Sequence, residues 1–398
     1  MKSLAIWTEN SKIEIEDLHI NVWKLPCEKN KINDDFYRFI DFGFKFDLNN
    51  QEEDNQTETN LKFNIFYPQR IVNNDIEDLV GKLYENIESK LISTLFNDNL
   101  NLSIDSNKDF AKVTNGDSTN DFYTYKIKAT KIKISNKFSG SVLEFDIKIP
   151  TEYKKIYLRF RIKKDYKDIF STIDKPSNAI LQSQFSKTEL FNFRINEVRD
   201  ISNDVLEEIN NSKLELSNFK KIHIFYICSA KDEYMYSHKN YDGVRILERS
   251  KWKTYIDDSK LNEKSQILAY HFKEKCNPKN DKASTDTEIK TGIMDYNFLI
   301  QTKYEINNRN TIFYYLGILF LITLCFNLIS NAVWENLNSI VNSFKYVILS
   351  LVNFLLNISV KALILLLIIL IIPIFIVNLK RIKYYGNSII KSIFNRKK

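Results

Sequence analysis

The chain has 398 residues and a formal net charge of +7, but this charge is unevenly distributed. Residues 380–398 carry +7 and residues 311–379 carry +1, so residues 1–310 sum to −1. A balanced region of this size has no electrostatic reason to bind nucleic acid nonspecifically. Aromatic residues make up 13% of the chain, which predicts a buried core and excludes a disordered tail.

Alternation of apolar residues marks the first strands. From Phe36 to Leu48, every second residue falls on one face, and nearly all of these are apolar. They are Phe36, Arg38, Ile40, Phe42, Phe44, Phe46 and Leu48. A second strand, Leu61 to Tyr67, alternates in the same way and stops before Pro68. The first 60 residues are therefore predicted to be β structure.

One long helix is predicted from Asp75 to Asn97. Apolar residues recur there at steps of three and four, and Asn74 or Asp75 would cap the first turn. This helix is expected to cover a sheet. Further strands are predicted at residues 122–135, 141–149 and 155–163. Residues 1–170 are therefore predicted to form a β-rich subdomain with one long helix.

Residues 171–305 are predicted to form a second, α+β subdomain. Residues 220–229 are apolar on both faces, which indicates a central strand. Residues 172–188 and 276–292 have the composition of loops. Helices are predicted at residues 200–216 and 244–256, and strands at residues 190–196, 266–272 and 296–304. The expected class is α+β, with a mostly antiparallel, β-rich soluble region followed by C-terminal transmembrane helices.

Two apolar segments near the C-terminus are long enough to cross a bilayer. Thr311 to Val333 has 23 uncharged residues, and residues 362–379 add another 18. As helices they would be roughly 35 Å and 27 Å long, against a hydrocarbon core of about 30 Å. Residues 306–310 would link the first span to the soluble region. The basic tail, residues 380–398, predicts a cytoplasmic C-terminus, and two spans then place the N-terminal region in the cytoplasm as well.

A stripe of polar residues lies between the two predicted spans, in residues 334–361. Its members are Ser339, Ser343, Tyr346, Ser350, Asn353, Asn357 and Lys361. Their spacing of three or four residues predicts an amphipathic helix with a narrow polar face. In one interpretation, the helix lies in the far interface with the stripe toward water. In a second interpretation, the stripe packs helices together. In the third interpretation, stripes of several subunits line a pore with Ser343, Ser350, Asn353, Asn357 and Lys361.

The spacing of glycine, histidine and cysteine excludes several kinds of site. No two of the eight glycines are closer than 24 residues, whereas phosphate-binding loops and dinucleotide fingerprints need glycines a few residues apart. No two histidines lie three to five residues apart and no C-x-x-C occurs, so the usual zinc motifs are absent. We expect no catalytic residue, no metal and no cofactor. His223 and His271, both in predicted strands, are interpreted as hydrogen-bonded structural side chains.

One group of cations on predicted strands is suited to binding an anion. Arg159, Arg161 and Lys163 fall on one face of the strand at residues 155–163, and Arg194 lies on the next predicted strand. Arginine can hold a phosphate through two parallel hydrogen bonds. The competing interpretation is an exposed sheet face whose cations pair with Asp and Glu.

The order of these segments resembles that of membrane effectors of bacterial anti-phage defence, of the CBASS and Hailong types. The likeness is one of organisation, and no sequence motif carries it. It implies an oligomeric pore in the bacterial inner membrane that a nucleotide or oligonucleotide controls. We therefore predict a homo-oligomeric channel or pore-forming effector, with the lipid bilayer as a partner and a ligand-sensing cytosolic region. The alternatives are a membrane-anchored adaptor that binds a partner protein and, ranked third, a membrane-tethered enzyme.

Overall fold

The computed structural model describes most of the chain up to Glu305 and part of the region beyond it. The described residues are 2–9, 13–27, 36–48, 57–85, 91–96, 98–104, 109–115, 121–128, 131–174, 186–256, 266–276, 292–305, 309–335 and 347–353. They belong to two compact units, residues 1–306 and residues 307–398, each of which is described by itself.

The first unit is built mainly from strands. In chain order they are β1 (Ala5–Thr8), β2 (Glu14–Pro26), β3 (Phe36–Asp47), β4 (Glu58–Tyr67), β5 (Ile76–Asp78), β6 (Leu100–Ile104), β7 (Phe110–Asn115), β8 (Phe122–Tyr125), β9 (Ile132–Ser135), β10 (Ser141–Pro150), β11 (Lys155–Ile162), β12 (Ser171–Asp174), β13 (Ser186–Ile195), β14 (Phe219–Ser229), β15 (Glu233–Ser237), β16 (Gly243–Leu247), β17 (Ile267–Lys275) and β18 (Tyr296–Glu305). The helices are α1 (Val80–Glu85), α2 (Leu91–Phe96), α3 (Lys167–Phe170), α4 (Asn203–Asn211) and α5 (Arg249–Ile256). The predicted β-rich region with few helices is thus confirmed.

The strands form three sheets. The largest has the order β16-β17-β14-β2-β3-β11-β8-β7-β6, with β5 also pairing with β11. The other two have the orders β1-β4-β10-β9 and β12-β13-β18-β15. Among the described strand pairs, β2 with β14 and β8 with β11 are parallel and the others are antiparallel. This confirms the mostly antiparallel arrangement, and β14 is an interior strand of the large sheet, as its two-sided apolar pattern indicates.

One face of the large sheet packs against both smaller sheets through aromatic side chains. Alternation along β3 places Phe42 and Phe44 on this face, where both are fully buried. Phe42 stacks on Phe160 of β11, with ring centroids 5.6 Å apart, and lies 6.5 Å from Phe193 of β13. Phe44 lies 5.3 Å from Phe63 of β4. Burying each such side chain contributes about 1.5–3 kcal/mol, so the alternation that predicts β3 also builds the core.

The opposite face of the large sheet is covered in part by α1, α2 and α5. Trp23 of β2 lies 5.5 Å from Phe39 of β3 and 5.7 Å from Trp252 of α5, measured between ring centroids. All three side chains are buried. The same face also carries a row of buried polar side chains, which is the starting point for the candidate site.

The helix predicted from Asp75 to Asn97 differs from the structure in its first turn. Ile76 lies in β5 and pairs with Ile162 of β11. Helical structure begins with α1, where the backbone N–H of Gly81 donates to an Asp78 carboxylate oxygen at 2.9 Å. Pairing with β11 therefore overrides the helical spacing of the apolar residues, and Asp78 then caps the delayed start. Residues 86–90 lie outside the described residues.

The strand predicted at residues 122–135 forms two strands in different sheets. β8 lies in the large sheet and β9 in a four-stranded sheet. Between them, Ile127 leaves the ladder and donates its backbone N–H to Asp78 Oδ1 at 3.2 Å. The alternating pattern runs on through this break, so periodicity alone does not reveal it.

Two other segments of the first unit differ from their predictions. Residues 243–247 form the edge strand β16 instead of the start of a helix, because they pair with β17. The predicted loop at 172–188 overlaps β12 at its start and β13 at residues 186–188, and its residues 175–185 lie outside the described residues. The predicted boundary at residue 170 does not separate two sheets, since β2 and β14 pair with each other.

The second unit begins with the 27-residue helix α6 (Arg309–Glu335), just after β18 ends at Glu305. This helix includes all of Thr311 to Val333, the first predicted span. Within the portion of the chain that the structure describes, no helix is both long enough and apolar enough to cross a bilayer.

Part of the predicted polar stripe is described. Residues 347–353 are helical and include Ser350 and Asn353, both of which are exposed. Ser343, Asn357 and Lys361 lie outside the described residues, as do the second predicted span (362–379) and the basic tail (380–398).

Candidate functional site

Two of the arginines predicted to bind a ligand lie in a buried network. Arg159 and Arg161 of β11 are each 1% exposed. Arg161 donates to both carboxylate oxygens of Asp41, at 2.6 Å from Nε and 3.2 Å from Nη2. Arg159 donates through Nε to the Tyr255 hydroxyl at 2.6 Å, and that hydroxyl donates to Asp41 at 2.9 Å. Trp23 Nε1 also donates to Asp41, at 2.8 Å.

The buried arginine charges of this network are stabilised by the Asp41 carboxylate. Burial lowers the pKa of Arg161, but the adjacent Asp41 carboxylate outweighs burial and the pKa lies above its usual value. The Arg161 guanidinium also lies 4.1 Å from the centroid of the Phe39 ring. Buried charges are stable only when they are paired, and an aromatic face adds about 2 kcal/mol when the cation is desolvated. These arginines therefore have a structural role and are not accessible to a ligand.

The other two residues predicted to bind a ligand are also paired with carboxylates. Lys163 follows β11, and its Nζ is 3.6 Å from the Glu77 carboxylate. Arg194 lies on β13, in a different sheet, and its guanidinium pairs with Asp200. Lys163 lies next to the buried Arg161, since both cations approach Glu77 Oε2, at 3.6 Å and 3.9 Å. Arg194 is not brought together with them, because the strand order places β11 and β13 in separate sheets. The competing interpretation, cations paired with acids, agrees with these contacts.

Three histidines that are distant in sequence lie side by side on the helix-covered face. His19 of β2 is in register with His223 of β14, and their ring centroids are 4.9 Å apart. His223 Nδ1 lies 3.1 Å from His271 Nε2 of β17. His223 and His271 are thus hydrogen-bonded to each other, as their structural interpretation requires. The three histidines form a row because β17, β14 and β2 are neighbours in the sheet. The spacing of the histidines along the sequence does not reveal this strand order.

Burial keeps these histidines neutral. Burial, together with the nearby His271 and Lys273, lowers the pKa of His223 to about 3. Burial also lowers the pKa of His271, although Asp242 acts in the opposite direction. The pKa of His19 lies well below its usual value for the same reason. A neutral imidazole has one donor and one acceptor nitrogen, which allows the hydrogen bond within the pair.

The histidine row leads to an open groove of about 730 Å³ at the edge of the large sheet. β17 contributes His271, Lys273 and Lys275, because alternate residues of a strand share one face. Arg245 of β16 and Phe225 of β14 also line it. We call these residues the edge groove. The alternation of His271, Lys273 and Lys275 is visible in the sequence, but the other two residues join them only through strand pairing.

Positive charge predominates in the edge groove. Lys273 and Lys275 form no ion pair with a carboxylate that the structure describes, and burial together with Lys275 lowers the pKa of Lys273. Arg245 Nη2 donates to the backbone carbonyl of Thr94 at 2.6 Å. The acidic side chain in the lining is Asp242, which is exposed. A concave surface with this balance attracts anions.

The chemistry of the edge groove is that of anion recognition. Lysine supplies a compact charge, arginine a planar fork of donors, and neutral imidazole a single N–H donor. Within the described ranges, no group of three or more His, Cys, Asp or Glu side chains is placed to hold a metal ion. No protein-family model matches the chain, and no curated protein matches it.

Proposed function

We propose that the chain is a homo-oligomeric effector of the bacterial inner membrane, in which the β-rich unit senses a ligand and the C-terminal helices form a channel or pore. The short chain connection between the two units carries this proposal. β18 ends at Glu305 and α6 begins at Arg309. The proposed first span rests on the sequence alone, in which Thr311 to Val333 has no charged residue.

A buried lysine ties β18 to the large sheet. The Lys24 ammonium of β2 lies 3.9 Å from the centroid of the Tyr304 ring and 3.4 Å from Thr302 Oγ1, both on β18. The same ammonium pairs with Glu189 of β13 and with Asp232, each at 3.1 Å. A ligand that displaces β2 therefore acts on the strand that leads into α6. β2 also carries His19, which belongs to the histidine row beside the edge groove. In this proposal, a ligand in the groove therefore acts on α6 through β2 and then β18.

The polar stripe lines the pore in this proposal. Residues 362–379 cross the bilayer a second time, and residues 380–398 remain in the cytoplasm with the β-rich unit. Because one narrow stripe cannot enclose an aqueous path, several copies of the chain must assemble. The pore-lining residues are Ser343, Ser350, Asn353, Asn357 and Lys361.

Ion release from liposomes containing the full-length protein tests this function. We expect release above that of protein-free liposomes, and a closed oligomer in detergent. Replacing Asn353 and Asn357 with leucine should abolish release, because the pore wall becomes apolar. Asn101→Leu, at an exposed position of β6, is the matched control and should leave release unchanged. A monomer without release would refute the channel, and unchanged release in the double variant would remove the stripe from the pore.

Exposed apolar side chains on two edge strands favour a second function, that of a membrane-anchored adaptor for a partner protein. Met235 and Tyr236 of β15 and Val244 and Ile246 of β16 are between 42% and 61% exposed. An edge strand with exposed apolar side chains is a site at which another chain can pair. The adaptor predicts no ion release. It also predicts that the β-rich unit keeps its partner binding on an unrelated membrane anchor.

A further inference from the structure

The edge groove combines an open volume with cations that have few acidic neighbours. Lys273 and Lys275 are exposed on β17 and have no carboxylate partner among the described residues. Arg245 faces the same space, and its Nη2 binds only a neutral carbonyl in the described structure. We infer that the edge groove binds the phosphate groups of a small phosphorylated ligand. This inference deepens the proposed function by locating its ligand site, and its test does not require a channel.

The volume and the spacing of the groove define the class of ligand. About 730 Å³ lies within the range of about 300–1,000 Å³ that small-molecule sites occupy. Lys273 and Lys275 are two residues apart on one strand, so their backbone positions differ by about 7 Å. A ligand with several phosphate groups can reach both ammonium groups, whereas a single phosphate engages them less well. A polyphosphate chain is therefore the part of the ligand that this wall recognises.

Two further side chains give the groove a defined shape. The His271 ring stacks on Phe225, with centroids 4.4 Å apart and planes 6° from parallel. His271 Nε2 also lies 3.1 Å from His223 Nδ1. The His271 ring is therefore held by two residues of β14, Phe225 and His223. A fixed ring reduces the ordering cost when a ligand binds. Arg245 is anchored in the same way by its bond to the Thr94 carbonyl, and its remaining guanidinium donors can meet phosphate oxygens.

Binding of sodium tripolyphosphate to the full-length protein in detergent, measured by calorimetry at low ionic strength, tests the inference. We expect saturable binding that weakens at least about tenfold in the double variant Lys273→Gln/Lys275→Gln, the effect of losing one or more charged hydrogen-bond donors. The matched control is Lys133→Gln/Lys148→Gln, two exposed lysines of a different sheet with the same change in charge. This control should keep the wild-type affinity.

Three results would overturn the inference. Wild-type protein that shows no saturable binding removes the site, and equal weakening by the two double variants shows that net charge alone attracts the probe. Phosphatidylglycerol vesicles that displace tripolyphosphate at equal phosphate concentration assign the groove to lipid headgroups instead of a free ligand. The outcome is separate from that of the channel. Phosphate binding without ion release refutes the channel and keeps the groove, and ion release without phosphate binding does the reverse.

Discussion

Asp41→Asn is the substitution that tests the buried network most directly. The Asp41 side chain is fully buried and accepts hydrogen bonds from Arg161, Trp23 and Tyr255. Asparagine has nearly the same shape and keeps one acceptor oxygen, but it carries no negative charge. The guanidinium groups of Arg159 and Arg161 would then remain buried without this counter-charge.

The expected loss is large compared with the stability of a folded domain. Removing one partner of a buried ion pair costs about 3–5 kcal/mol, because the other charge stays desolvated. Two charge-assisted hydrogen bonds from Arg161, each contributing about 1.5–3 kcal/mol, agree with that range. The free energy of unfolding of a typical domain is only about 5–15 kcal/mol. At roughly 2 °C for each kcal/mol in a large domain, Tm should fall by about 6–10 °C.

Thermal unfolding of the full-length protein in detergent, followed by tryptophan fluorescence, measures this loss. Trp23 donates to Asp41 and reports on the network directly. The matched control is Asp146→Asn on β10, whose side chain is largely exposed and lies 3.6 Å from Lys62. An exposed pair of this kind contributes less than about 1 kcal/mol, so the control should unfold close to the wild type. If both variants unfold at the same temperature, Asp41 does not balance the buried arginines and the reasoning is refuted.

Two other variants probe buried charge. The pKa of His223 in the folded protein, about 3, lies below its usual value of 6.5. Between pH 7 and pH 5, His223 therefore binds a proton only in the unfolded chain. The free energy of unfolding should fall by about 2 kcal/mol over this range because of this group. Asp78, whose pKa is raised to about 6, acts in the opposite direction. The measurement is therefore a comparison of denaturant unfolding, in which His223→Gln should lose less stability on acidification than wild type; an equal loss contradicts the assignment. Lys24→Met leaves Glu189 buried without its ammonium partner and should lower the free energy of unfolding by about 3–5 kcal/mol. The exposed control Lys148→Met should change the free energy of unfolding by less than about 1 kcal/mol. Equal losses in the two variants would show that the ion pairs of Lys24 do not stabilise the fold.

The strands were largely predictable because successive side chains of a strand alternate between its two faces. The period of two along β3 and β10 assigns most of their core side chains without knowledge of their partners. β5 was not predictable in this way. Its one apolar residue, Ile76, also fits the apolar face of a helix, and pairing with Ile162, a residue far along the chain, selects the strand. Local periodicity therefore fails where a distant strand supplies the missing hydrogen bonds.

The candidate site was less predictable, since it depends on which strands become neighbours. Alternation shows that Arg159 and Arg161 share a face, but it does not show that the face is covered. The covering side chain, Tyr255, comes from α5 and bonds to Arg159. In the same way, His19 and His223 meet only because β2 and β14 pair in parallel, a connection that requires the intervening chain to cross between sheets.

The buried arginines and the edge groove lie on the same face of the same sheet, and their different roles follow from cover and charge balance. Arginine is intrinsically the better phosphate ligand, because its planar fork matches two oxygens at once. Arg161 nevertheless cannot act as one, since Asp41 already occupies that fork. Lys273 and Lys275 have the simpler chemistry but remain exposed and without a described acidic partner. The availability of a cation, and not its residue type, therefore decides where an anion can bind on this sheet.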